Sequence, residues 1–154
     1  MKNLEVRVVT LDPFRVASAY GFGDSPEGIA FEKIEAFAIA NQLLEEGRLP
    51  RTFGFNHPDP SPGSPNYGYE VWLPIVEEVQ VQGDISIKNI SGGLYAVTRL
   101  TGLQNIGDTW KQLAQWREGS KYKYGNHQWL EHLLSPSDVP FEAYVFDLYL
   151  PISE

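Results

Sequence analysis

Two stretches of the chain place an acid and an aromatic ring two positions apart. Glu70 and Trp72 lie in "YEVWLPI" (69–75), and Asp147 and Tyr149 lie in "FDLYLPI" (146–152). The second heptad starts 77 residues after the first and repeats its chemistry: aromatic, acid, aliphatic, aromatic, leucine, proline, isoleucine. Side chains alternate between the faces of a strand, so each acid shares a face with its ring. A ring offers area and cation–π attraction, about 0.5–2 kcal/mol depending on desolvation, and a carboxylate offsets a positive charge. Such a wall suits a flat, apolar, cationic molecule. Tyr67 and Phe55 are placed to add rings from neighbouring positions. The competing reading is a solvated sheet face, because one side of an antiparallel sheet is often simply wet.

The elements that must position these residues follow from periodicity. "NLEVRVVTL", "RVASAYGFG", "RTFGF", "YGYEVWLPI", "ISIKNI", "LYAVTRLTG" and "EAYVFDLYLPI" read as strands. "DSPEG" opens a helix over 27–46, with Ser25 as cap, Pro26 in the first turn and Gly47 as its close. Phe31, Ile34, Phe37, Ile39 and Leu43 form its apolar stripe. A second helix is predicted over 106–118, framed by Asn105 and Asp108 as a capping box. A third, short helix is predicted over 127–134, capped by Asn126. "NHPDPSPGSPN" is a proline-rich loop. "FEKIEAF" and "WKQLAQW" share a pattern 79 residues apart. The matched blocks indicate an internal duplication with halves of about 1–77 and 78–154. The expected fold class is α+β: duplicated βαββ halves with pseudo-two-fold symmetry, antiparallel sheets with helices on one face, and a central ligand cleft. All 154 residues are expected to form a single ligand-binding domain.

Composition narrows the function. A hydrophobic fraction of 42% supports a real core. No cysteine is present, which removes disulfides, thiolate metal sites and cysteine nucleophiles. The N-terminus lacks a signal-peptide pattern, and no run approaches the roughly 20 apolar residues that span a bilayer. The expectation is a cytoplasmic protein without a membrane role. The net charge of −8, with 12 basic against 20 acidic residues, argues against nucleic-acid binding by this chain. "HQWLEH" (127–132) fails as a metal motif, since residues five apart lie about 140° around a helix. The expected metal and cofactor content is none. "GFGDSPEG" lacks the lysine of a phosphate loop, and no Gly-x-Ser-x-Gly elbow exists.

The stretches "RVASAYGFGDSPEGIAFEKI", "FGFNHPDPSPGSPNYGYEVWLPI", "GGLYAVTRLTG", "NIGDTWKQLAQW", "WLEHLLSPSD" and "FDLYLPI" resemble the GyrI-like small-molecule-binding domain, the effector-binding domain of several AraC- and MerR-type multidrug regulators. The resemblance covers nearly the whole chain. It implies a ligand cleft in which an acid of the last strand, Asp147 here, meets the cation. Many relatives have glutamate there, so this side chain is shorter by a methylene. The family's Glu-x-Trp is carried by Glu70 and Trp72, and Glu131 matches a glutamate of the last helix. The chain starts at its first strand with no helix-turn-helix, so a stand-alone form without a DNA-binding domain is expected. The resemblance implies a binding protein for hydrophobic, often cationic aromatic molecules, in drug or toxin sensing or sequestration. The alternatives it carries are a hydrolase of cyclopropane-containing electrophiles, using Glu70 and Trp72, and an inhibitor that binds DNA gyrase.

Overall fold

The computed structural model describes residues 4–57, 65–76, 78–81, 83–136 and 139–154. Along them run β1 (Arg7–Leu11), β2 (Phe14–Gly23), α1 (Pro26–Ala40), β3 (Thr52–Asn56), β4 (Tyr67–Ile75), β5 (Ser86–Ile90), β6 (Gly93–Thr101), α2 (Ile106–Glu118), β7 (Lys123–Tyr124), β8 (Leu130–Leu133) and β9 (Val145–Ser153). The fold is α+β and its sheets are antiparallel, as the alternating strands and amphipathic helices predict. The proline-rich loop lies mostly outside the described residues.

Packing divides the chain into two units. In the unit of residues 14–90 the strands run β3-β4-β2-β5, with β4 central. Tyr69, Val71 and Leu73 of β4 face α1 and join its Ala30, Ile34 and Phe37 in one core. Ile34, Val71 and Leu73 are essentially fully buried, worth about 1.5–3 kcal/mol each. Phe31 and Leu43 pack partly against this core, whereas Ile39 of the predicted stripe is exposed.

In the unit of β1 and residues 91–154 the order is β1-β6-β9-β8, with β7 pairing the end of β9. Leu148 and Leu150 of β9, Ala96 of β6 and Leu113 of α2 are fully buried. These units differ from the halves expected from the repeat. β1 pairs with β6, and β5 pairs with β2, so each edge strand comes from the other half of the sequence. The crossing of chain at Gly92 explains that glycine: its φ is 76°, and a Cβ would lie 2.1 Å from the Leu11 carbonyl oxygen.

Local rules account for most boundaries. α1 begins with Pro26 in its first turn as predicted, but Ser25 makes no side-chain cap. It ends at Ala40, six residues before the predicted end at 46. Gln42 adopts φ 59°, and the Leu43 N–H donates to the Ala38 carbonyl at 2.8 Å, a Schellman-type stop. Asn41 braces this stop through the Phe37 carbonyl and both backbone groups of Gln80. Gly47 instead serves a two-residue turn, with φ 52° at Glu46 and 78° at Gly47, closed by paired bonds between Glu45 and Arg48. α2 has the predicted bounds, but Asn105 turns its side-chain amide to the Thr101 carbonyl instead of capping. The segment predicted as a helix over 127–134 contains β8. Eight residues are too few for a self-sustaining helix, and β9 offers a ladder that buries Leu130 and Leu133.

Candidate functional site

β4 lies between β2 and β3, so alternation sends Glu70 and Trp72 to the face opposite α1. Register places Ser18 beside Trp72, Phe55 beside Glu70, and Phe53 beside Trp72. The Phe55 and Trp72 rings meet edge to face, 4.9 Å between centroids. Glu70 Oε2 accepts three hydrogen bonds: from Ser18 Oγ at 2.7 Å, Trp72 Nε1 at 2.6 Å and Lys88 Nζ at 2.6 Å. Lys88 reaches the carboxylate from β5, the edge strand beyond β2. The carboxylate side chain is 6% exposed and the lysine 43%. Burial pushes the Glu70 carboxyl up. The bonds from Lys88, Trp72 and Ser18, with the lysine charge, outweigh it and hold the group below its ordinary range.

Asp147 occupies the corresponding place on β9, where its neighbours are Arg99 of β6 and His132 of β8. Arg99 grips it with Nε on Oδ1 at 2.9 Å and Nη2 on Oδ2 at 3.2 Å. Arg7 of β1 adds Nη2 on Oδ2 at 2.9 Å. Burial raises the Asp147 carboxyl, and the two guanidiniums more than reverse it. Tyr149 lies two residues on, in edge contact with Tyr95 at 5.3 Å and His132 at 5.9 Å. Tyr95 is 1% exposed, and burial followed by the Tyr149 charge pushes its phenol up to about 12.

Three of the residues singled out in sequence thus form one cluster: Glu70, Trp72 and Phe55. Asp147 and Tyr149 form a second cluster in the other unit. Tyr67 joins neither. It shares the α1 side of β4, and its hydroxyl donates to the Glu27 carboxylate of α1, 2.8 Å to Oε1. Glu131 sits on β8 rather than on a helix, and its carboxylate accepts Trp110 Nε1 at 3.2 Å. His127 lies outside any helix: its Nε2 is 2.7 Å from the Leu94 carbonyl, and its ring meets Tyr95 edge-on at 4.6 Å. Among the described residues, no group of three or more His, Cys, Asp or Glu side chains could hold a metal ion.

Sequence reasoning missed the cations Lys88, Arg7 and Arg99, along with Ser18. A signal was present. "SIKNI", "EVRVV" and "VTRLT" each set one basic residue in the middle of an alternating strand. A buried acid needs a partner, and mid-strand cations are the available ones.

The model of the family Cass2, integron-associated effector binding protein, matches residues 7–152. No curated protein matches the chain. Among solved structures, the EcmrR C-terminal domain aligns over 98% of this chain and 98% of its own, with TM-score 0.76 at 14% identity. A hydrolase from Listeria innocua aligns over 99% and 94%, with TM-score 0.73 at 14% identity. SAV2435, solved bound to tetraphenylphosphonium, aligns over 97% and 94%, with TM-score 0.63 at 12% identity. At such identities the likeness is one of fold, and the α+β fold is consistent with the GyrI-like one that the sequence resembles. With the family model running from β1 into the last strand, the chain belongs to the Cass2 family of integron-associated effector-binding proteins.

Proposed function

We propose that this effector-binding protein takes small apolar molecules carrying a positive charge, and that Glu70 is their electrostatic partner. One observation carries the reading. A buried carboxylate stands beside the Trp72 and Phe55 rings, and its charged partner is a half-exposed lysine. Family membership supports a small-molecule ligand. The tetraphenylphosphonium on SAV2435, a lipophilic cation, supports the charge class. Sensing and sequestration both need this same binding step. The repeated heptads and the matching strand orders of the two units support an origin by duplication.

Charge balance separates the two acids. Asp147 carries one negative charge against two guanidiniums, so a cation there approaches a net positive cluster. Glu70 carries one against one, and becomes a net anion when Lys88 withdraws. We therefore assign Asp147, the acid that the family resemblance favours, to holding β1 and β6 onto β9, and the cation role to Glu70. The three donors on Oε2, with the Lys88 charge, favour the ionised form of Glu70, the form that a cation needs.

Titration of intrinsic tryptophan fluorescence with tetraphenylphosphonium and with neutral triphenylphosphine oxide tests the proposal. Micromolar binding of the cation, tenfold or more above the neutral compound, is expected. Equal affinity for both, or no binding of either, would overturn it.

A further inference from the structure

Lys88 places a cation of the protein's own where the proposed ligand's cation must go. Its Nζ lies 2.6 Å from Glu70 Oε2, at ion-pair contact, and the carboxylate is nearly sealed while the lysine stem is close to half exposed. Two other donors, Ser18 Oγ and Trp72 Nε1, bind the same oxygen, and both residues are buried. Of the three partners, only the ammonium sits on a long flexible stem that reaches in from an edge strand. It can therefore leave for water at small cost. The carboxylate cannot be left alone, because a buried unpaired charge is expensive.

We infer that Lys88 is a built-in competitor, and that a cationic ligand binds by exchanging its own positive group for the Lys88 ammonium on Glu70. This rests on the binding reading above and adds its specificity device. Exchange makes the site select on charge. A neutral molecule that displaces Lys88 strands the carboxylate, whereas a cation replaces what it removes. It also keeps affinity for any one cation moderate, since each must outcompete a tethered ammonium. No such exchange is open at Asp147, where two guanidiniums make three bonds to the carboxylate.

The test compares tetraphenylphosphonium and triphenylphosphine oxide on wild type, Lys88→Met and the neutral pair Glu70→Gln/Lys88→Met. With its competitor removed, Lys88→Met is expected to bind the cation at least tenfold more tightly, a gain of 1.4 kcal/mol. The neutral pair buries no charge, so it remains informative if Lys88→Met folds poorly; it is expected to bind both probes alike. In wild type labelled with 15N-lysine, the Lys88 ammonium resonance is expected to move to its free position as the cation saturates. Cation affinity unchanged in Lys88→Met, or a Lys88 resonance unmoved at saturation, overturns the exchange and leaves the binding reading standing. No binding of either probe to wild type or to Lys88→Met overturns both.

Discussion

At the scale of single residues, the two acids look equivalent in sequence and are not equivalent in the fold. The acid–ring spacing was legible because strand alternation dictates it, and the structure keeps Glu70 with Trp72 on one face. The partners were not legible, because cross-strand register decides them and register is set by tertiary pairing. Glu70 titrates below its ordinary 4.5, so its stabilising contribution is present above that value and is lost as pH falls through the lower folded value. Glu70→Gln is therefore expected to unfold less steeply below pH 4.5 than wild type in urea melts across pH 3–7. Around Asp147, removing one arginine leaves the other in place. Arg7→Met and Arg99→Met should each cost about 1 kcal/mol or less, since both side chains are more than half exposed. The double variant strands a buried carboxylate and should cost about 3 kcal/mol or more. Urea denaturation of the cycle checks this; strict additivity would mean that water replaces the guanidiniums without penalty.

At the scale of elements, strands were the more readable part, because each alternating run contains a strand, although β1 and β9 start three or more residues after their runs begin. Helix ends were less so. Gly47 looked like a helix close, but Asn41 and the left-handed Gln42 stop α1 earlier. The segment around Leu130 has little local preference and takes its strand form from the ladder beside it. Two glycines of the first unit separate close packing from open surface. A Cβ on Gly21 would lie 2.3 Å from the Pro26 carbonyl oxygen and 3.0 Å from the Ala30 nitrogen, both backbone atoms of α1. Gly21→Ala is expected to cost about 1–3 kcal/mol. A Cβ on Gly28, within α1, meets nothing within 4 Å, so Gly28→Ala should add about 0.5–1 kcal/mol. Thermal melts of the two variants should move in opposite directions. A stabilised Gly21→Ala would show that α1 does not seat on β2 this closely.

At the scale of the whole molecule, the repeated blocks of sequence and the packed units are bounded at different places. The repeat divides the chain near residue 77, whereas packing gathers residues 14–90 and leaves β1 with residues 91–154. A linear repeat cannot reveal that β1 pairs with β6 and β5 with β2, since other pairings would have the same periodicity. The net charge of −8 acts at long range, raising the local concentration of cations around the protein. Raising ionic strength from 0.05 to 0.5 M shortens the Debye length from more than about 10 Å to under about 5 Å. Affinity for tetraphenylphosphonium should fall several-fold over that range, while affinity for triphenylphosphine oxide stays level. A salt-independent affinity would confine the attraction to contact distance.

The most direct measurement compares tetraphenylphosphonium binding to wild type, Glu70→Gln and Asp147→Asn in one titration series, with folding verified by circular dichroism. Glu70→Gln is expected to lose tenfold or more, about 1.4 kcal/mol, and Asp147→Asn to stay within about threefold of wild type. Loss confined to Asp147→Asn would contradict the assignment of Glu70 and return the cation to the last strand.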